Sequence, residues 1–215
     1  MGNEKRWVTG AAIALGTEAL YKRLGRRWMY SWGAYPDEVT AALPGDDLVA
    51  ATTPRTTRGV TIDAPVEQVW PWLVQIGEER GGFYSYGWLE RSLGTRTCDT
   101  RVIHPEWQEL QVGDPVWPAR RYGQMLRHVV AEVEPKSHVV LMSEPDFDRV
   151  TQGEKAHGSW AFCLVPQAQR TRLLARGSGG AVGSATFDIP HFVMEQKMLR
   201  GIRDLAQAVT DSPSN

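Results

Sequence analysis

The strongest periodic pattern in the chain lies near its end, between Phe187 and Val209. Apolar side chains and one histidine recur there at intervals of three and four residues, which is the repeat of an amphipathic α-helix. The positions are His191, Met194, Met198, Ile202, Leu205 and Val209. Such a helix is roughly 30–35 Å long at about 1.5 Å per residue. The pattern therefore predicts one long helix whose apolar face is covered by another part of the fold.

An earlier segment predicts a strand followed by two short helices. In Thr56 to Asp63, Val60 and Ile62 alternate with polar neighbours, which is the period of a half-buried strand. Pro65 opens the next segment, PVEQVWPWLVQIG, where proline suits the first turn of a helix. The segment GWLERSLG, residues 87–94, predicts a second short helix.

The middle of the chain changes to a strand pattern. Gln124 to Glu134 and His138 to Ser143 predict a hairpin closed by Pro-Lys-Ser. Gly158 to Val165 is apolar on both faces, as in a central covered strand, and Thr171 to Arg176 pairs with it. This order predicts an α+β helix-grip fold, in which an antiparallel sheet wraps around the long last helix. The gap between them is filled by side chains or by a ligand.

Charge and cysteine content narrow the class of protein. The net charge is −1, so no basic excess is present to neutralise phosphates, and nucleic acid is not expected as a partner. Nine tryptophans are many for this length and suit an apolar pocket. Cys98 and Cys163 form at most one disulfide, which favours a reducing, cytoplasmic setting. The sequence has no metal-ligand motif, so neither a metal nor a cofactor is expected.

The first residues differ from the rest of the chain. Basic residues flank the apolar run VTGAAIALG, Val8 to Gly16, which is too short to span a bilayer. Two interpretations fit: a helix docked on the domain, or a basic helix with aromatic residues that lies on an anionic membrane through residues 1–33. We divide the chain into an extension and connector (1–42), the helix-grip domain (43–210) and a disordered tail (211–215).

Several longer motifs resemble a known superfamily. They are LPGDDLV, APVEQVWPWLVQIG followed by GGFYSY, HPEWQELQVGDPV, WAFCLVP, TRLLAR and HFVMEQKMLRGI. Over roughly Leu43 to Val209 they resemble an actinobacterial-type branch of the SRPBCC superfamily. That superfamily includes START lipid-transfer domains, pollen-allergen-like ligand carriers and polyketide cyclase/dehydrase proteins. The resemblance implies a helix-grip domain with a deep apolar cavity that binds a hydrophobic small molecule.

The candidate site follows from that arrangement. Tyr84, Tyr86 and Trp88 alternate, so they share one face if this piece is extended, and they are expected to line the cavity. His191, with a tunable pKa, is a candidate general base. The predicted ligand-binding residues are Tyr84, Tyr86, Trp88, Trp117, Trp160, His191, Met194, Met198 and Ile202. The weaker catalytic candidates are His191, Tyr84, Tyr86 and His128.

Three functions remain open from the sequence. The first is a carrier or sensor that binds a lipid, isoprenoid or polyketide-like molecule between the sheet and the last helix. The second is a cofactor-independent enzyme of the cyclase, dehydrase or isomerase kind, which moves protons in a water-poor cavity. The third is a membrane-tethered accessory protein that handles lipids.

Overall fold

The computed structural model describes residues 25–86, 100–179 and 182–210, and its fold is α+β. Six antiparallel strands form one sheet in the order β1-β6-β5-β4-β3-β2. The strands are β1 (Arg55–Ile62), β2 (Pro115–Val116), β3 (His128–Glu134), β4 (His138–Ser143), β5 (Ser159–Gln167) and β6 (Arg170–Ser178). The helices are α1 (Arg26–Tyr30), α2 (Pro36–Thr40), α3 (Val66–Val74), α4 (Glu144–Thr151) and α5 (Ala185–Thr210). Short 3₁₀ segments occupy Pro105–Trp107 and Arg120–Leu126.

The predicted helix-grip arrangement is confirmed. Helix α5 spans 26 residues and packs against α3 and β1, so its apolar face is covered by the inner face of the sheet and by α3. The core between them contains Ile62, Leu73, Phe162, Leu199 and Ile202, all with almost no exposed surface. Burying such side chains is the main favourable contribution to folding.

The outer face of the sheet is also covered. Arg172 and Arg176 of β6 point to this face, where Glu38 and Asp46 from the segment after α1 form ion pairs with them. Arg172 Nε lies 2.7 Å from Glu38 Oε1. Because both faces of the sheet are covered, β5 is apolar along its centre. Burial raises the pKa of the Cys163 thiol in this strand to about 12, which leaves it unreactive.

One predicted detail of the sheet is wrong, and one helix has no counterpart in the sequence prediction. The strand expected from Gln124 begins at His128, because residues 120–126 form 3₁₀ turns that contain Gly123 at φ +56°. The helix α4 was not predicted; Ser143 caps it by accepting a hydrogen bond from the Asp146 amide at 3.3 Å. The predicted second helix at 87–94, the tail at 211–215 and residues 1–24 lie outside the described residues.

The described end of the N-terminal segment packs against the domain. Helix α1 lies on α5 and β1, and Tyr30 Oη donates to Asp188 Oδ2 at 2.6 Å. Arg58 Nε donates to the Met29 carbonyl oxygen at 2.7 Å. No helix in the described ranges combines the length and apolarity that crossing a membrane would require.

Helix α5 approaches the segment that follows α3 so closely that only glycine fits at residue 201. A Cβ there would lie 2.5 Å from the Tyr84 carbonyl oxygen and 2.7 Å from the Tyr84 Cβ. Ser85 Oγ fixes the same segment to α5 by donating to the Met194 carbonyl oxygen at 3.2 Å.

We therefore expect Gly201→Ala to destabilise the protein, although alanine is the better helix former by about 1 kcal/mol. Backbone atoms of Tyr84 cannot move aside as a flexible side chain would, so we expect the free energy of unfolding to fall by about 1–2 kcal/mol. Urea denaturation measures this. Asp204→Ala, an exposed position on the same helix, should change it by less than about 0.5 kcal/mol. A Gly201→Ala protein as stable as the wild type would contradict the packing described.

Candidate functional site

A cavity of about 530 Å³ lies between the inner face of the sheet and the first half of α5. Residues 118–126 form a further wall. Its apolar lining includes Phe83, Leu126, Leu141, Met142, Val182, Phe187, Met194 and Met198. Its polar lining includes His128, Ser143, Asp146, Ser178, His191 and Glu195. Small-molecule sites in proteins are typically cavities of this size, mostly apolar with a few polar groups.

Five of the residues named from the sequence line this cavity. They are His128, Trp160, His191, Met194 and Met198. Trp160 lies between the two histidines: its ring centroid is 6.3 Å from that of His128 and 5.9 Å from that of His191. The helix period and the strand alternation thus bring side chains from β3, β5 and α5 together. Their binding of a ligand stays a prediction.

Tyr84 and Tyr86 do not line the cavity. Tyr84 has φ +53°, so the segment is not extended there and the alternation assumed from the sequence is lost. The Tyr84 hydroxyl is buried, where it accepts a hydrogen bond from Gln75 Nε2 at 2.9 Å. Tyr86 is exposed, and Trp88 lies outside the described residues.

Two other predicted residues also lie away from the cavity wall. Trp117 packs beneath two guanidinium groups, with Arg120 Cζ at 5.4 Å and Arg127 Cζ at 5.7 Å from its ring centroid. Ile202 lies about one helical turn past Met198 and is fully buried in the core. The cavity therefore occupies the first half of α5, and the second half packs as ordinary core.

A buried ion pair lies beside the cavity, and its carboxylate, Glu195, belongs to the lining. Arg58 of β1 donates through Nη1 to Glu195 Oε2 of α5, and each side chain is 1% exposed. The second oxygen of Glu195 accepts a hydrogen bond from Trp160 Nε1 at 2.6 Å. Both carboxylate oxygens thus have a donor, as a buried charge requires.

The charge on Glu195 is retained although it is buried. Burial acts to raise the pKa of this carboxyl, but the Arg58 guanidinium and the hydrogen bonds from Arg58 and Trp160 outweigh it and lower the pKa below its ordinary value. Glu195 is therefore an ionised acceptor whose oxygens are engaged, which makes it a poor proton acceptor for a ligand.

The protonation state of His191 follows from its partner. Arg58 Nη1 lies 3.2 Å from His191 Nδ1, and a guanidinium has no acceptor atom. Nδ1 must therefore carry the lone pair, and the proton is on Nε2. Burial lowers the pKa of His191, Glu195 opposes that shift and Arg58 adds to it, so the ring is neutral at pH 7. His191 Nε2 lies 3.9 Å from Glu195 Oε1, beyond hydrogen-bond distance.

His128 is the second neutral imidazole of the cavity. Burial lowers its pKa, and a hydrogen bond to the Leu126 carbonyl only partly opposes this. Its Nδ1 is buried and has no hydrogen-bond partner among the described residues. That nitrogen has almost no accessible surface, so it faces the packed wall rather than the open volume of the cavity.

Arg58 and Glu195 were not among the residues selected from the sequence, although the signal was present. Arg58 shares the inner face of β1 with Val60 and Ile62 because it precedes them at the strand period of two. Glu195 follows His191 by four residues and precedes Met198 by three, so it lies on the apolar face of α5. When two apolar faces that pack together each contain one charged residue, and the charges are opposite, a buried ion pair is expected between them.

The described residues contain no group of side chains arranged to bind a metal ion. Across residues 25–86, 100–179 and 182–210, no three His, Cys, Asp or Glu side chains are grouped as metal ligands would be. The cavity is a mostly apolar volume in which His191 presents an N–H.

No family model matches the chain, and no curated protein matches it. Solved structures with a similar arrangement exist. One is the X-ray structure of a protein from Nitrosomonas europaea, 15% identical, with a TM-score of 0.47, covering 75% of this chain and 98% of that one. Another is a polyketide-cyclase-like protein from Corynebacterium glutamicum, 13% identical, with a TM-score of 0.35 and coverages of 75% and 96%.

A third is the self-sacrificing resistance protein CalC from Micromonospora echinospora. It is 11% identical, with a TM-score of 0.38 and coverages of 73% and 96%. These similarities are too distant to transfer a function. The helix-grip assignment rests on the sheet order and on α5, and it agrees with the fold that the SRPBCC motifs imply.

We expect Glu195→Gln to be strongly destabilising. The substitution removes the charge that compensates Arg58, and an uncompensated buried guanidinium lowers stability by about 3–5 kcal/mol. Chemical denaturation measures the difference. As a control, Asp63→Asn breaks the Arg170–Asp63 ion pair, in which both side chains are more than half exposed, and should change stability by less than about 1 kcal/mol. A similarly small change for Glu195→Gln would contradict the role assigned to the pair.

The lowered pKa values of His191 and His128 predict acid sensitivity. Each of these histidines has a lower pKa in the folded protein than in the unfolded chain, so between the two pKa values the unfolded chain binds more protons. Their contribution to stability is therefore fully present above the ordinary pKa near 6.5 and is lost as pH falls below it. The slope is at most about 1.4 kcal/mol per pH unit for each histidine.

Unfolding free energies at pH 7.5 and pH 5.5 test this expectation. The loss on acidification should be smaller in His191→Phe than in the wild type, because the variant has no proton to bind at that position. His157→Phe, at an exposed histidine, is the control and should keep the wild-type slope. Parallel slopes for the wild type and His191→Phe would contradict the assignment of a neutral buried ring.

Proposed function

We propose that this protein binds an apolar small molecule in the cavity between the sheet and α5. The observation that carries the proposal is the cavity itself, about 530 Å³ with a mostly apolar lining whose polar members include His191, Glu195 and His128. Well-packed protein interiors have few voids larger than a water molecule. A volume of this size therefore favours an occupant of lipid, isoprenoid or polyketide-like character.

The lining supports an adaptable site. Met194 and Met198 lie on the helix side, and methionine fits ligands of differing shape because its side chain is flexible and polarizable. Phe83 lies nearly parallel to Trp160, with the ring planes 18° and the centroids 6.2 Å apart, and both rings line the cavity. These groups suit hydrophobic contact without strict shape selection.

The acid–base enzyme is a second candidate, and His128 is the observation that favours it. His191 is poorly placed as a base because its basic nitrogen accepts from Arg58. His128 belongs to the cavity lining and has a lowered pKa, which suits a neutral proton acceptor. Its buried Nδ1 has no partner among the described residues, and a rotation of the ring would be needed to turn it toward a substrate. If a reaction occurs, we propose His128 as the base; loss of turnover in His128→Gln with ligand binding retained would test it.

The membrane-tethered function stays a proposal for residues 1–33. Of these, the structure describes residues 25–33. Trp28 is 57% exposed, and Ile189 and Val193 of α5 are exposed as well. Binding of the full chain to anionic liposomes, lost on deletion of residues 1–24, would support this function; binding unchanged by the deletion would argue against it.

Filling the cavity tests the binding proposal. We expect Met194→Trp to reduce uptake of the neutral dye N-phenyl-1-naphthylamine at least about 10-fold, because the indole occupies ligand volume. Fluorescence titration measures uptake, and thermal unfolding measures the stability of each variant.

Val193→Trp is the matched control, since it is the same substitution one position away at an exposed site of α5. It should bind the dye as the wild type does. Equal dye binding by both variants, or no binding by the wild type, would overturn the proposal that this cavity holds the ligand.

A further inference from the structure

We infer that the ligand carries a neutral oxygen acceptor, the carbonyl of a ketone or ester, which accepts a hydrogen bond from His191 Nε2–H. This inference rests on the proposed function and names the substrate class of the same cavity. It predicts an apolar molecule with one uncharged polar end, rather than a fatty acid or another anion.

The first argument is the direction of the hydrogen bond. Because Arg58 can only donate, His191 Nδ1 is an acceptor and Nε2 is the donor. That donor has no hydrogen-bond partner among the described residues, since Glu195 Oε1 is 3.9 Å away and already accepts from Trp160. Arg58 cannot rotate freely to change this state, because its Nε donates to the Met29 carbonyl and its Nη1 also donates to Glu195.

The second argument is the charge around the polar end. Two carboxylates, Asp146 and Glu195, belong to the described cavity lining, and no Lys or Arg does. The charge of Glu195 is already compensated by Arg58, whose side chain is 1% exposed. A ligand carboxylate would therefore lose its hydration without meeting a cation in the described lining, which is unfavourable in a poorly hydrated site.

The third argument is the rest of the lining. His191 stacks on Phe187, with ring centroids 5.0 Å apart, and its Cε1 lies beside Gly177. The remaining lining is mostly aliphatic and aromatic, with Ser143, Asp146 and Ser178 among its polar members. A hydrogen-bond donor at His191 in a mostly apolar wall is the complement of a long or polycyclic molecule that has a carbonyl group.

The experiment uses three probes of equal chain length: decane, 2-decanone and decanoate. Each displaces N-phenyl-1-naphthylamine from the full chain at pH 7.5, and the two variants are His191→Phe and His157→Phe. We expect 2-decanone to bind more tightly than decanoate in the wild type. The affinity ratio of 2-decanone to decane should fall about 3- to 10-fold in His191→Phe, the loss expected for one neutral hydrogen bond, and stay unchanged in His157→Phe.

Decanoate binding as tightly as 2-decanone would overturn the inference, and so would an unchanged ketone-to-decane ratio in His191→Phe. If the dye binds but none of the three probes displaces it, the inference also fails while cavity binding stands. If the wild type binds neither dye nor probes, the proposed function fails and the inference with it. The wild-type comparison of ketone with carboxylate decides the matter even if His191→Phe does not fold.

Discussion

The fold depends on one buried ion pair, Arg58 with Glu195. A guanidinium on the inner face of β1 can be buried only if α5 brings a carboxylate to it, and that requirement fixes how far along the sheet the helix lies. Apolar packing alone would tolerate some sliding of the helix, because a methionine-rich face adapts to several positions. A charge pair in which both carboxylate oxygens and two guanidinium nitrogens are engaged does not tolerate sliding, so polar contacts within an otherwise apolar interface specify the position of the helix along its axis.

The same pair determines the chemistry of the cavity. Arg58 donates to His191 and so fixes its tautomer, while Glu195 holds the indole of Trp160 that separates the two histidines. His191, a candidate general base from the sequence, therefore has its basic nitrogen occupied by a structural hydrogen bond. What these contacts leave open toward the cavity is the N–H of His191, which fits the proposed binding of a ligand better than a proton relay.

The sequence predicts the fold well where one hydrophobic repeat, of two residues in a strand or of three and four in a helix, continues through the whole element. The strands β1, β5 and β6 and the helix α5 were expected from alternation and from the three-four repeat, and the α+β helix-grip class follows from their order. The prediction was weaker where one residue breaks the period. Gly123 delays the start of β3, and Tyr84 takes a left-handed conformation that separates it from Tyr86.

The candidate site was predicted in part for the same reason. His191, Met194, Met198, Trp160 and His128 lie on elements with a clear period, so their shared cavity follows from their faces. Arg58 lies on the inner face of β1 and Glu195 on the apolar face of α5, but burial of either charge can be predicted only when its partner is known. The two residues are 137 positions apart in the chain. Pairing across such a distance is a tertiary property that no local pattern contains.

That separation also has a consequence for the order in which the protein is made. Among the described strands β1 pairs with β6 alone, so Arg58 can enter the sheet only after Arg170–Ser178 has been made. The next element in the chain is α5, which carries Glu195. The strand that buries the arginine and the helix that supplies its counter-charge therefore become available to the folding chain one directly after the other.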